Sequence, residues 1–321
     1  MSSPRIGPNS PFFIVLDAGS GGEDAAEARR VIEEGCTAAG RRHRIFLADG
    51  PGRVQALARE AVERARAVGG VVVAAGGDGT ILAVAQATLG SGCAFGALPQ
   101  GAFNDFGRTH GIPRDTAQAL QVLLSEQPRA AQVGLVNDRV FLANASLGLY
   151  ADLLEARETR KARDGRSRWT AFFAGLLTVM RGHRHWNLRM AWRGREKDIR
   201  TPTLFVGNNP LQLLQAGAAH AGAPERGALA AVALKPAGVL AMPGWLVSGA
   251  LGRLGDADQV LSFSFESMTV KAGRLRRPRR VKVATDGEIG WAEMPLLFRV
   301  SPEPLWLVRP DIAPELEAAK P

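Results

Sequence analysis

The segment with the clearest chemical signal is Gly76-Gly77-Asp78-Gly79-Thr80, which joins a β-branched run to an apolar, helix-like run. Glycines let the backbone approach a bound group closely, and N–H groups at the start of a helix point at an anion. Gly76, Gly77, Gly79 and Thr80 therefore form a predicted cradle for nucleotide phosphates. Asp78 places a carboxylate where phosphate and a divalent cation would meet, so it is a predicted metal ligand and catalytic residue. A structural turn capped by Asp78 is the alternative interpretation.

A second polar segment follows the next apolar run and reads Pro99-Gln100-Gly101-Ala102-Phe103-Asn104-Asp105-Phe106-Gly107-Arg108. We expect Gly101, Asn104 and Asp105 to contact the nucleotide or its cation. Asn104 offers both a donor and an acceptor, whereas Asp105 has the alternative role of capping the following helix. Because both polar segments follow strand-like runs, a parallel sheet would bring them to the same edge.

Two carboxylates near the end of the chain, Asp286 and Glu288, follow the strand-like residues 281–284. Asp-Gly is a common turn pair, so these residues alone indicate only a polar β-turn. Phosphoryl transfer also needs a base near the acceptor hydroxyl, in addition to a phosphate cradle and a cation. The Asp286-Gly287-Glu288 segment does not by itself identify that base.

The elements that must position the first two segments alternate between strand-like and helix-like patterns. Residues 27–36 and 54–65 carry apolar stripes with helical spacing. The strand-like runs are residues 12–16, 44–48, 71–75 and 94–98. This alternating order predicts a parallel sheet with flanking helices, which is an α/β nucleotide-binding domain.

The pattern changes after Pro128 to short strand-like runs separated by turn residues. Asn137-Asp138 separates two of these runs and indicates a hairpin. The runs are residues 133–136, 139–142, 188–192, 201–206, 229–234, 261–270, 280–284 and 296–300. They predict a C-terminal antiparallel β domain. One apolar helical stripe, from Trp169 to Met180, either covers this domain or lines a lipid entrance or touches a membrane.

Composition and charge limit the class of protein. The formal net charge of +9 suits nucleic acid, anionic lipid or a phosphorylated ligand. Basic residues crowd positions 271–282 without interleaved aromatic residues, so we expect no nucleic-acid partner. That run is either a solvated loop or attracts anionic lipid. No apolar run approaches the ~18 residues of a membrane span. Cys36 and Cys93 lack metal-type spacing and predict buried thiols in a reducing, cytoplasmic compartment.

The three motifs GGDGT, N-D-F-x-R and D-G-E, in this order, resemble the catalytic domain of diacylglycerol kinases and related bacterial lipid kinases. That family carries GGDGT, then P-x-G-T-x-N-D-F-A-R, and later D-G-E. Residues 141–150 are similar to its F-x-N-x-x-S-x-G segment, and residues 204–209 to its V-G-N-N strand. The resemblance spans about residues 12–310. Ala102 and Gly107 stand where the family usually has Thr and Ala.

The resemblance implies an ATP- and Mg²⁺-dependent lipid kinase that transfers the γ-phosphate to a lipid hydroxyl, with a diacylglycerol-like or sphingoid acceptor. It implies that Asp286 takes the proton of the acceptor and that Glu288 joins the metal and water network. It also implies that Ser20, in the turn after the first strand, contacts the nucleotide. Such an enzyme of phospholipid metabolism would be cytoplasmic and would associate peripherally with an anionic membrane surface.

The resemblance also divides the chain into two domains. It implies an ATP-binding domain over residues 1–131, with residues 301–321 packing back on it. Residues 132–300 would then form a β-sandwich that holds the lipid substrate.

Several departures from the family pattern leave alternatives open. Asp17 and Ala18 replace Asn and Pro in the first turn, and a carboxylate there would repel a polyphosphate unless a cation intervenes. Arg226 replaces an Asp that some members use in a structural metal site, so we expect no such site. With Ala102, these changes motivate a catalytically degenerate lipid- or nucleotide-binding protein. A NAD kinase-like small-molecule kinase is disfavoured, because residues 101–108 differ from the N-x-G-x-L-G-F turn of those enzymes. The sequence leaves open the acceptor lipid and the oligomeric state.

Overall fold

A computed structural model describes residues 3–19, 22–101, 104–148, 185–208, 227–234, 260–273 and 279–311. The chain forms two compact units, Met1–Gln132 with Pro302–Pro321, and Val133–Ser301. Ser20, Ala102, Arg226 and the helix expected from Trp169 to Met180 lie outside the described residues. Across those described ranges, no helix combines the length and apolar character that a membrane crossing requires.

The first unit is built around one sheet with flanking helices. Its elements are β1 Phe12–Asp17, α1 Gly22–Ala38, β2 His43–Ala48, α2 Pro51–Val68, β3 Val71–Gly76, α3 Asp78–Thr88, β4 Ala94–Pro99, α4 Asp105–Thr109, α5 Thr116–Ser125, β5 Pro128–Ala131 and, near the end of the chain, β18 Leu305–Val308. The six strands lie in the order β2-β1-β3-β4-β18-β5. Strands β1 to β4 are mutually parallel, which confirms the predicted α/β domain with its parallel sheet.

The central strands are apolar along their whole length because helices pack against the sheet. Every residue of β3 and β4 is buried. Helix α2 has Pro51 in its first turn and ends at Gly69, whose φ of +64° is a common left-handed helix stop. Strand β18 pairs in parallel with β4 and antiparallel with β5, so the end of the chain completes this sheet.

The second unit contains two six-stranded antiparallel sheets. Its strands are β6 Gly134–Val136, β7 Arg139–Phe141, β8 Asn144–Gly148, β9 Trp186–Trp192, β10 Arg195–Thr201, β11 Thr203–Gly207, β12 Leu229–Leu234, β13 Val260–Phe265, β14 Ser267–Ala272, β15 Arg280–Thr285, β16 Glu288–Glu293 and β17 Leu296–Val300. The sheet orders are β10-β9-β14-β17-β6-β7 and β13-β12-β11-β8-β15-β16. Side chains of both sheets share one apolar core, which confirms a sandwich architecture.

Two strand boundaries differ from the sequence prediction. The run 261–270 is two strands in different sheets, because the exposed Glu266 and Ser267 separate the buried Phe265 from the buried Met268. The strand that follows the Arg193-Gly194 turn is β10 rather than residues 201–206. Strand β10 lies at a sheet edge and is mostly exposed, so it lacks the apolar alternation that identifies strands in a sequence.

Candidate active site

The predicted phosphate cradle is a strand–turn–helix segment, as the sequence indicated. Strand β3 ends at Gly76, Gly77 precedes the helix, and α3 begins at Asp78. A Cβ on Gly101 would lie 3.1 Å from the Gly77 Cα, so the turn after β4 packs backbone to backbone on the turn after β3. The Gln100 N–H donates to the Gly76 carbonyl at 2.9 Å. The close packing of the two turns therefore favours glycine at position 101.

Asp17 connects the turn after β1 to this cradle. The buried Thr80 hydroxyl donates to Asp17 Oδ2 at 2.8 Å, and Gly19 N–H donates to Asp17 Oδ1 at 2.9 Å. Both carboxylate oxygens thus accept hydrogen bonds within the first unit. Asp17, which stands where the family has Asn, thus links the turn after β1 to the start of α3.

Asp78 has the chemical properties expected of a cation ligand. Its Oδ1 atom is buried and accepts no hydrogen bond. Burial raises the pKa of this carboxyl and the charge of Asp105 raises it further, whereas the N–H groups of Phe106, Asn104 and Asp105 lower it. A buried carboxylate oxygen without a donor, close to a second carboxylate, is stabilised by a bound cation or by protonation. The residues present therefore fit Mg²⁺.

The cation would not be held by a cage of side chains alone. Over the part of the chain that the structure describes, no three His, Cys, Asp or Glu side chains form a metal cluster. Mg²⁺ usually keeps several waters and binds through one or two carboxylates and substrate phosphates. Asp78 and Asp105, with a nucleotide, match that pattern.

Asn104, rather than Asp105, caps the short helix α4. Asn104 has a left-handed backbone, with φ of +49°, and its Oδ1 accepts from Gly107 N–H at 3.1 Å. A Cβ at position 107 would collide with the Asn104 carboxamide in this arrangement. Asp105 is exposed and pairs with Arg108. The alternative expectation that Asp105 caps this helix was wrong, and Asp105 remains available to the nucleotide or cation.

Gln100 is a candidate site residue that the sequence analysis missed. Its Nε2 atom is buried and has no hydrogen-bond partner. Leaving a buried donor unsatisfied costs about 1–3 kcal/mol. The packed turns thus contain one unsatisfied donor, on Gln100, and one unsatisfied acceptor, on Asp78. A polar side chain between a buried strand and a glycine is the only sequence signal that could have identified it.

Replacing Gln100 with leucine should separate binding from stability. Leucine has a similar volume and removes the unsatisfied donor, so we expect an unchanged or higher melting temperature. If Gln100 donates to a phosphate oxygen of ATP, its replacement should raise the KM for ATP about tenfold, with a smaller change in kcat. Melting curves and initial rates against ATP concentration measure both effects. Gln121→Leu, on an exposed face of α5, is the matched control. An unchanged KM would assign Gln100 to packing alone.

His110 lies behind the second polar segment and is neutral near pH 7. Its ring packs on Phe106 with centroids 4.7 Å apart, and Phe106 contacts Phe95 at 6.2 Å. Burial lowers the pKa of His110 to about 4, and the positive charge of Arg309 lowers it further. Arg309 lies directly after β18.

Acid should destabilise the protein through His110. The unfolded imidazole has a pKa near 6.5, above the folded value of about 4. Between these values the unfolded state binds more protons, so stability falls as the pH decreases from about 6.5 to 4, by at most about 3 kcal/mol. His110→Phe keeps the ring contact and should reduce this pH dependence in urea unfolding, whereas the exposed His185→Gln control should retain it. An identical pH dependence in His110→Phe would contradict this assignment.

Asp286 lies in the turn between β15 and β16 of the second unit. Its carboxylate accepts from the N–H groups of Leu142 at 2.6 Å, Ala143 at 2.8 Å and Asn144 at 2.8 Å. Its own N–H donates to the Asn144 carbonyl at 2.9 Å. These donors stabilise the ionised carboxylate and fix its position. Asp286 is thus a positioned carboxylate whose hydrogen bonds also organise the connection between β7 and β8.

Three segments that resemble the family's motifs meet at the connection between β7 and β8. Residues 142–144 belong to the F-x-N segment, and Asp286 belongs to D-G-E. Asn208, from the V-G-N-N segment, donates through Nδ2 to the Leu142 carbonyl at 2.9 Å. The half-exposed Glu288 lies 3.9 Å from the Arg139 guanidinium. The structure therefore brings the predicted residues into two sets, one in each unit.

Comparisons with known proteins find sequence similarity mainly in the first unit. Residues 11–136 match the family model described as Diacylglycerol kinase catalytic domain. A "Probable lipid kinase YegS-like" of Klebsiella pneumoniae (strain 342) is 36% identical over 110 residues, covering 34% of this chain and 37% of that protein. One of the same name from Pseudomonas syringae pv. tomato is 33% identical over 155 residues, covering 46% and 47%. The matched segments thus span less than half the length of these curated relatives.

Solved structures extend the similarity of fold over nearly the whole chain. The crystal structure of a diacylglycerol kinase from Bacillus anthracis str. Sterne aligns with a TM-score of 0.63, covering 94% of this chain and 97% of that one. Its sequence identity is 15%, so this likeness concerns the fold alone. Both glycine-containing segments lie within the matched residues. Residues 11–136 are thus similar to the diacylglycerol kinase catalytic domain.

Proposed function

We propose that this protein is an ATP- and Mg²⁺-dependent lipid kinase that transfers the γ-phosphate of ATP to a lipid hydroxyl. The observation that carries the proposal is the pair of packed glycine turns with two unsatisfied polar atoms, Asp78 Oδ1 and Gln100 Nε2. Both turns follow parallel strands, at the edge where α/β sheets bind ligands. The name "lipid kinase" of the curated relatives supports a lipid as acceptor.

In this proposal, residues of the first unit bind the nucleotide and its cation, and Asp286 takes part in proton transfer. Backbone N–H groups of Gly77, Gly79 and Thr80 bind the nucleotide phosphates, and the Gln100 amide donates to a phosphate oxygen. Asp78, with help from Asp105 and Glu288, would hold Mg²⁺, which would neutralise part of the phosphate charge. The acceptor oxygen forms a bond to the γ-phosphorus while the bond to the ADP oxygen breaks. Asp286 takes the hydroxyl proton as this transfer proceeds, and Glu288 orders water nearby.

The acceptor assay uses the purified full-length protein with radiolabelled ATP and Mg²⁺. Mixed lipid extract, NAD and buffer alone are the three acceptor arms, and mass spectrometry identifies any phosphorylated lipid. We expect label in a lipid product that requires Mg²⁺. Label in NAD would instead support the small-molecule kinase alternative. Mg²⁺-dependent ATP binding without any labelled product would support a catalytically degenerate protein.

Access to a bilayer-embedded acceptor suggests a peripheral enzyme of the cytoplasmic membrane surface. Cys36 and Cys93 are both free, which suits a reducing compartment. Among the described basic residues of positions 271–282, Lys271 lies on β14 and Lys282 on β15, which belong to different sheets of the second unit. Lys271 and Lys282 therefore do not share one sheet face.

Membrane association should weaken as salt increases. Exposed basic residues attract anionic headgroups within about a Debye length, which is ~8 Å at physiological ionic strength. Co-sedimentation with phosphatidylglycerol-containing vesicles should decrease across a salt series, and neutral phosphatidylcholine vesicles should bind weakly throughout. Binding that is independent of both salt and headgroup charge would mean that the net positive charge has another role.

A further inference from the structure

The β15–β16 hairpin exposes an aromatic side chain beside a cation. Trp291 is 59% exposed, the highest value among the large apolar side chains in the described ranges. Lys282 lies directly opposite Trp291 in the hairpin register. Its ammonium nitrogen is 5.7 Å from the centre of the Trp291 ring, which is within cation–π range. The two side chains form one amphipathic surface, here called the Trp291–Lys282 pair.

Buried and less buried side chains alternate along β15, so the Trp291–Lys282 pair points away from the protein core. Val281 and Val283 are each 1% exposed and belong to the apolar core between the sheets. Side chains of successive strand residues point to opposite faces, so Lys282 points outward, and its cross-strand partner Trp291 does the same. Strand β16 lies at the edge of its sheet. The pair is thus presented at an exposed edge of the second unit.

The charges around the pair favour an anionic partner. Arg279 and Arg280 are exposed at the start of the same hairpin. Glu293 lies opposite Arg280 in the register, and Glu288 lies 3.9 Å from Arg139, so each acidic side chain has a basic neighbour. Lys282 adds a positive charge beside the exposed ring. Tryptophan is enriched at the headgroup level of bilayers, where basic side chains contact anionic headgroups.

We propose that the Trp291–Lys282 pair is the point at which the second unit docks onto an anionic lipid bilayer. This inference rests on the proposed function, because it explains how a lipid hydroxyl reaches the enzyme. Asp286 lies in the turn of the same hairpin, four residues beyond Lys282, which is about 13 Å along a strand. Docking through this pair would hold the candidate base close to the membrane surface.

Vesicle binding without ATP tests the docking surface independently of catalysis. The full-length protein is sedimented with phosphatidylglycerol-containing vesicles at low and high salt. Trp291→Ala should lower the partition coefficient about tenfold, because the ring is the apolar part of the contact. Lys282→Gln should lower it about fivefold at low salt, and by less at high salt. Val68→Ser is the matched control, since Val68 is 56% exposed but lies in the first unit, and its binding should equal the wild type.

The outcomes separate failure of docking from failure of the proposed function. Quenching of tryptophan fluorescence by brominated lipids should be smaller in Trp291→Phe than in the wild type, which would support docking even if no lipid is phosphorylated. Unchanged vesicle binding in both Trp291→Ala and Lys282→Gln would overturn docking, whatever the kinase assay gives. Self-association in solution that Trp291→Ala abolishes, together with unchanged vesicle binding, would assign this face to contact between two copies of the chain and also overturn it.

Discussion

Asp78→Asn is expected to abolish phosphoryl transfer while leaving the first unit folded. A hard cation prefers a carboxylate, and the variant offers a neutral amide oxygen in the same position. A bound cation contributes several kcal/mol of transition-state stabilisation, so kcat should fall by about 10³-fold or more. Burial already disfavours the charge of Asp78 in the free protein. The variant should therefore melt at the wild-type temperature or above it.

Two measurements distinguish this result from unfolding. Melting curves with ATP, with and without Mg²⁺, should show Mg²⁺-dependent stabilisation of the wild type that the variant loses, because a ligand that binds only the folded state raises its stability. Asp115→Asn is a matched control, since Asp115 caps α5 through Gln118 N–H at 2.9 Å and asparagine caps equally well. Wild-type turnover in folded Asp78→Asn protein would remove Asp78 from the mechanism.

Local sequence patterns were sufficient to predict the strand, the glycine turn and the helix start that surround Asp78. The β-branched residues of β3 and the glycines after them specify a buried strand and a tight turn through effects that act within a few residues. The parallel order of β1 to β4 followed from the alternation of strands and helices. The same reasoning failed for β10, because an exposed edge strand has no apolar face to reveal it.

The contacts that connect the site residues could not be predicted in this way. The hydrogen bond from Thr80 to Asp17 joins residues 63 positions apart, and that from Leu142 to Asp286 joins residues 144 apart. The sequence indicated only that the charge of Asp17 would repel a polyphosphate. The structure adds that Asp17 accepts two hydrogen bonds, which connect the turn after β1 to Thr80. The burial of Gln100 Nε2 without a partner results from the packing of two turns against each other. The sequence of either turn alone does not determine that packing.

Asp286→Asn is expected to lower kcat by at least ~10²-fold, the typical effect of a lost general base, with nucleotide binding retained. The variant should also be less stable. Its amide nitrogen would face N–H donors of residues 142–144, and bonds to a charged carboxylate are about twice as strong as neutral ones. We expect the free energy of unfolding to fall by about 1–3 kcal/mol. Rates must therefore be measured well below the melting temperature of the variant.

A comparison of catalysis, binding and stability decides which role of Asp286 dominates. Titration with ATP should give the wild-type affinity, because the phosphate cradle belongs to the first unit. Asp138→Asn, in the exposed turn between β6 and β7, makes the same chemical change in the second unit and should alter neither kcat nor stability appreciably. If Asp286→Asn lowers kcat by less than tenfold while its stability falls as expected, the carboxylate is an anchor for the connection between β7 and β8. Another group must then take the proton of the acceptor hydroxyl.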